Sequence, residues 1–239
     1  MKRVLLKLSG EALMCKDTNL SIKQEMLDHF ATEVKDAHSM GVQIALVVGA
    51  GNIIRGKTFA GANEETRIEG DYMGMLATII NSMALRSKMQ SHGLDVRLQS
   101  ALSMDQVAQL YIRDKALSGL EEGKILIFAG GTGNPFFTTD TAAALRASEI
   151  NADALLKGTN VDGVYDKDPN EHADSKLIKE ASFLDVINKE LQVMDATAIT
   201  MCKDQNIPIR VFNIHEPGNL RKVLAGEQLG TTISAAGAS

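Results

Sequence analysis

Six short runs rich in Val, Ile and Leu, at residues 4–8, 42–48, 96–99, 125–129, 154–157 and 207–212, alternate with longer stretches of helical period. Apolar runs of this length without polar alternation belong to strands buried on both faces, as in parallel sheets whose crossovers are helices. The pattern predicts an α/β fold, a three-layer sandwich with a mostly parallel central sheet flanked by helices. The chain has four Pro in 239 residues and no long Ser, Gly or like-charge run. It offers no linker or fixed-period repeat and reads as a single domain over residues 1–239.

Capping signatures place the crossovers. Ser21 with Gln24 three residues on predicts a helix start, followed by a Met26, Phe30, Val34 and Ala37 stripe that closes at Gly41. Asp71 is the expected cap of a second helix reaching about Ser91, and Ser103 with Gln106 of a third. A fourth helix is expected from near Thr139 to Ile150.

Several function classes recede. A formal charge of −5 argues against a general nucleic-acid surface. Cys15 and Cys202 stand without metal spacing, and the five His are scattered, so no metal site is expected and a reduced, cytoplasmic setting is the simple reading. The first residues imitate a signal peptide, but Lys7 and Glu11 interrupt the apolar stretch, and nothing approaches the roughly 20 apolar residues of a membrane span.

Ligands in open α/β sheets sit beyond the carboxyl ends of strands, so the loops that follow strands are where chemistry is expected. In LLKLSG, Lys7 ends an apolar strand before the turn Ser9–Gly10; it either faces an anion or snorkels to water. In VVGAGNIIRGKT, a glycine turn precedes Arg55, whose guanidinium suits phosphate oxygens. Gly51, Gly56, Lys57 and Thr58 match a Walker A pattern, but no apolar helix follows and no strand ends in a Walker B Asp, so the match reads as accidental. In AGGTGNPFFTTD, Gly130, Gly131 and Gly133 lead into a helix start suited to phosphate, and Phe136 and Phe137 suggest a wall for a base or sugar. Asp140 serves equally as a cap for that helix. In KGTNVDGVYDKDP, two turns flank Tyr165, which reads as a surface hairpin residue or an adenine neighbour.

LKLSGEAL, VVGAGNIIRG, GDYMGMLATIINSMAL, GTGNPFFTTDTAAALRA, KGTNVDGVYDKDP, LQVMDATAI and IPIRVFN together resemble bacterial UMP kinases of the amino-acid kinase fold, in order and over nearly the whole chain. The resemblance implies transfer of a phosphoryl group from ATP to UMP in pyrimidine nucleotide biosynthesis. It implies ATP contacts at Lys7, Leu8, Ser9, Gly10, Gly51, Arg55, Thr159, Asn160, Tyr165 and Asp168. For UMP it implies Ala50, Asp71, Thr132, Gly133, Asn134, Pro135, Phe136, Phe137, Thr138 and Thr139, with Asp71 near the ribose hydroxyls. Lys7, Arg55 and Asp140 are the implied catalytic groups, Asp140 organising the cations, with Mg²⁺ held mainly by the nucleotide phosphates. Family members are homohexamers inhibited by UTP. The segment from Cys15 to Ile22 lacks the Gly and Phe associated with GTP activation, which leaves that response open.

A nucleoside monophosphate is already close to a dianion at pH 7, so no general base is needed, and catalysis reduces to alignment and charge neutralisation. Asp195 reads either as a helix cap or as support for the nucleotide site. The stripe Met73, Leu76, Ile80 and Met83 reads as core or subunit interface. Three rivals remain on sequence: a carboxylate kinase of the same fold, a nucleotide-binding protein without turnover, and a P-loop enzyme in which Lys57 is essential.

Overall fold

The structure, a computed structural model, describes residues 1–14, 20–54, 64–167, 169, 171–172 and 174–236. Strands β1 (Arg3–Leu8), β2 (Gln43–Val48), β3 (Val96–Ser100), β4 (Gln109–Leu110), β5 (Ile125–Ala129), β6 (Ala154–Thr159), β9 (Glu180–Ser182), β10 (Ile209–Asn213) and β11 (Thr231–Ser234) form one sheet in the order β4-β3-β5-β2-β1-β6-β10-β11-β9. Within this sheet, the β10–β11 pairing is the antiparallel one among the described residues. A small ribbon pairs β7 (Val164–Tyr165) with β8 (Leu177–Ile178). The six apolar runs are six of these strands, each shifted by two residues or fewer at its ends.

Helices α1 (Gln24–His38), α2 (Glu64–Ser91), α3 (Arg113–Glu121), α4 (Thr139–Glu149), α5 (Phe183–Asn188), α6 (Ala196–Asp204) and α7 (Asn219–Leu224) cover the sheet. One core joins α1, α2 and α7 to the face of β1 that carries Val4, Leu6 and Leu8. The other joins α3, α4, α5 and α6 to the face that carries Leu5. Lys7 therefore shares its face with Leu5, beneath α4. That helix buries Ala142, Ala143, Ala144 and Ala147, and such short side chains let its axis lie close over the strand ends.

Three helix expectations need correction. Ser21 does not cap α1, which starts at Gln24 after Lys23 with no side-chain cap. Asp71 lies inside α2, which extends back to Glu64; its Arg67–Asp71 ion pair at i,i+4 supports turns that lack an apolar stripe. No helix follows Ser103. There Val107 and Ala108 donate their N–H groups to the Met104 carbonyl in a tight turn, and the chain enters β4 directly.

Candidate active site

Sheet order arranges the chemistry before any side chain is considered. The chain leaving β1 crosses to β2 on one side, whereas the chain leaving β6 re-enters the sheet on the other, so β1 and β6 flank a topological switch point. Lys7 and Lys157 are register partners on those two strands. Their side chains rise on one face and meet Asp140 in the first turn of α4. Lys7 Nζ lies 2.5 Å from Asp140 Oδ1, and Lys157 Nζ donates to Asp140 Oδ2 at 3.1 Å. Lys157 also donates to the Val193 carbonyl.

Burial alone would raise the Asp140 pKa, but the two ammoniums outweigh it and hold the carboxyl below the usual carboxylate range. For Lys157 the balance is opposite: burial lowers its pKa, despite the attraction of Asp140. The carboxylate is thus stabilised in its charged form, while its ammonium neighbour is held at a cost. Lys7 and Lys157 together outnumber Asp140 as charges, with Asp195 offsetting part of the excess through its attraction for Lys157, and the two ammoniums suit a polyanion.

Asp140 does not cap α4. Thr138 does, accepting the N–H groups of Asp140 and Thr141. The Thr138 hydroxyl donates to Asp195, as does the Thr141 hydroxyl at 2.9 Å. Asp195 also accepts the Ala198 N–H and caps α6. Asp195 is thus a cap, as one of its two readings expects, and it also bonds the helix start that carries Asp140.

On the β2–β5 side of the switch point lies a cavity of about 470 Å³. Ala50 and Gly51 after β2, Asp71, Met75 and Thr78 on α2, and Gly131, Thr132, Asn134, Phe137, Thr138 and Thr139 after β5 line it, with Ile54, Arg67, Gly70 and Gly74 completing the wall. Its wall at Thr139 runs directly into Asp140. Asp71 Oδ2 accepts both Arg67 Nε and the Phe136 N–H at 2.7 Å, tying α2 to the loop after β5. Phe136 pays for that tie in backbone conformation, with φ at 73° in the left-handed region. The Arg67 guanidinium sits 5.8 Å from the Phe136 ring centre.

Of the ten residues expected around the acceptor, Ala50, Asp71, Thr132, Asn134, Phe137, Thr138 and Thr139 line this cavity, whereas Gly133, Pro135 and Phe136 do not. Gly51, expected on the donor side, lines it too. Leu8 is fully buried in the core, so only its backbone can serve a ligand. Gly10 is required by packing: a Cβ there would stand 2.6 Å from the Gly49 carbonyl and from Asn52 Oδ1. Thr159 ends β6 and donates its hydroxyl to the Val161 carbonyl, with exposed Asn160 and half-buried Tyr165 beyond it. Arg55, Asp168, Cys15 and the Walker-like Gly56, Lys57 and Thr58 lie outside the described residues.

Sequence reasoning passes over Lys157, Thr78, Asn81 and Arg67. Lys157 carries the same signature as Lys7, a lysine at the end of an apolar strand before a turn. No group of three or more His, Cys, Asp or Glu among the described residues is arranged to hold a metal ion. No helix among them is long and apolar enough to cross a membrane.

The family model for the amino acid kinase family matches residues 2–213. A chloroplastic uridylate kinase of Arabidopsis thaliana, PUMPKIN, is 50% identical over 232 residues, covering 97% of this chain and 68% of the relative. The crystal structure of UMP kinase from Bacillus anthracis superposes with a TM-score of 0.92 at 40% identity, covering 98% of this chain and 96% of that one. UMP kinase from Ureaplasma parvum gives 0.88 at 32% identity, covering 98% of each chain.

Proposed function

The chain belongs to the amino acid kinase family, and from that premise we propose that it transfers the γ-phosphoryl group of ATP to UMP, giving UDP and ADP in pyrimidine nucleotide metabolism. The observation that carries this reading is the placement of a 470 Å³ cavity against a doubly cationic, singly anionic cluster at the switch point of the sheet. The uridylate and UMP kinase relatives extend over nearly the whole chain, which supports UMP as the acceptor.

In this reading the acceptor occupies the cavity, with Asp71 toward its ribose and Phe137 beside its base. Its phosphate points past Thr139 toward Lys7 and Lys157. ATP lies on the β6 side, where Thr159, Asn160 and Tyr165 follow the strand, with Arg55 and Asp168 assigned by resemblance. The acceptor phosphate is itself the nucleophile, so the protein's task is to align two polyanions and neutralise charge as it spreads over the transferring group. Lys7 and Lys157 supply the cations, Asp140 orients both ammoniums, and the start of α4 adds its dipole. Mg²⁺ would be held mainly through the nucleotide phosphates and water, where it would neutralise charge on the donor.

Further readings belong to the same proposal. The 239 residues act as one kinase domain in the cytoplasm. UTP inhibits by occupying the acceptor cavity, and the response to GTP is left to measurement. Met73, Leu76, Ile80 and Met83, each 38–50% exposed on α2, are not core; they support association, with a homohexamer as the expected assembly.

A coupled ADP-release assay with Mg-ATP, offering UMP, CMP, dTMP, AMP, aspartate and N-acetylglutamate in parallel, tests the reading. Turnover on UMP far above all others is expected. Turnover only on a carboxylate, or on no acceptor, overturns it.

A further inference from the structure

Helix α2 turns a row of buried polar side chains toward the strand ends. The Thr78 hydroxyl donates to the Met75 carbonyl at 2.7 Å and accepts the Gly130 N–H at 2.9 Å. Nearly one turn further on, Asn81 is fully buried. Its Nδ2 donates to the Gly49 carbonyl at 2.8 Å and to Asn52 Oδ1 at 2.7 Å. Asn52 Nδ2 returns a bond to Asn81 Oδ1 at 2.9 Å and donates to the Ser21 carbonyl at 2.6 Å. Gly10 packs against the same pair, where a Cβ would collide with Asn52 Oδ1 and Gly49.

Two amides thus close a reciprocal pair inside the protein, between a helix and a glycine turn. Burying amides is unfavourable unless their groups are paired, and here the two side chains pair each other and the Gly49 and Ser21 carbonyls. What the amides supply is direction. They fix residues 49–52 against α2 on one side and the Ser21 carbonyl, ahead of α1, on the other, while Thr78 fixes the loop after β5 to the same helix.

We propose that Asn81 is a positioning residue for phosphoryl transfer, acting through Asn52 and the Gly49 carbonyl to hold the turn that carries Ala50 and Gly51. This rests on the kinase reading above. A slipped turn moves the acceptor wall relative to Lys7, Asp140 and Lys157, and in-line transfer is sensitive to displacements of about 1 Å.

The test is Asn81→Asp, nearly the same size, which loses both donated bonds and sets a carboxylate oxygen against the Gly49 carbonyl. Turnover at saturating Mg-ATP and UMP falls by about 10- to 100-fold per folded molecule, with a smaller change in KM for UMP. Native-state hydrogen exchange accelerates at the amides of Gly49, Ile53 and Ile54, which are bonded within this turn or to β1. Ser82→Ala is the control on the same helix: the Ser82 hydroxyl is buried with no partner among the described residues, and its removal leaves turnover and exchange unchanged. Asn52→Ser approaches the pair from the turn side, and the double variant falls no further than the worse single one.

The proposal is overturned if folded Asn81→Asp keeps turnover within threefold and exchange unchanged, whatever its melting temperature. It is also overturned if the two single losses simply add, or if Ser82→Ala loses as much. A wild-type protein inactive on every acceptor defeats the kinase reading instead, and exchange in Asn81→Asp still decides whether the pair holds the turn.

Discussion

Replacing Lys157 with Met separates what the charge cluster does for the reaction from what it does for the fold. Met keeps the unbranched stem and removes the ammonium. On the stability side, the Val193 carbonyl loses its donor and Asp140 one of its two cations, on the order of 1–3 kcal/mol for each bond. Against this, burial lowers the Lys157 pKa despite Asp140, so the native state holds that proton less tightly than the unfolded chain does. That penalty is fully present below the folded pKa and fades as pH rises toward the ordinary lysine value, so this group makes wild-type stability rise with pH through that interval. Lys157→Met lacks that rise and escapes the penalty at neutral pH. The opposing contributions leave its unfolding free energy within about 2 kcal/mol of wild type. On the catalytic side, losing one cation aimed at the transferring group costs about 3–4 kcal/mol, a fall in kcat on the order of 10²- to 10³-fold. Urea unfolding and ADP release at saturating substrates read the two effects separately. A kcat within threefold of wild type refutes the role of Lys157 in transfer, and a stability loss above about 4 kcal/mol refutes the desolvation argument.

Three further outcomes are expected. Glu33 is buried on α1 and accepts the Gly218 and Leu220 N–H groups at the start of α7, so Glu33→Ala lowers unfolding free energy by about 1–3 kcal/mol in urea titration while leaving kcat within twofold. Because the lysines depress the Asp140 pKa, the stability it contributes is present above the ordinary carboxylate range and lost only as pH falls through its folded value; an acid titration of kcat therefore shows no ionisation from Asp140 above pH 5. The Cys202 thiol is buried and pushed up to about 12, so peptide mapping after iodoacetamide treatment at pH 8 finds it unmodified in the native protein and alkylated in urea.

The sheet was the legible part of this molecule because strands buried on both faces leave continuous apolar runs, and runs of that kind have few other uses. Helix boundaries were less so. Asp71 has the composition of a cap, yet the turns before it are helical because Arg67 pairs with it, an interaction that an apolar stripe cannot report. Ser103 and Gln106 spell a capping box, but the following residues close a tight turn and pass into β4. Within the site, the glycine loops and Lys7 stand out because their residue types are unusual at strand ends. Thr78 and Asn81 do not, since a polar residue in a long helix is ordinarily solvated, and only the packing of α2 shows that these two face inward. Lys157 was readable in principle, because on adjacent parallel strands two lysines at equivalent ends must land side by side.

That last arrangement has a mechanical consequence. The spacing between Lys7 and Lys157 is set by the hydrogen-bonded distance between neighbouring strands, about 4.8 Å, in the middle of a nine-stranded sheet. The loops that line the cavity leave the ends of β2 and β5 instead. The two cations therefore take their spacing from the sheet and not from the cavity walls, so the electrostatic framework is assembled before any nucleotide binds.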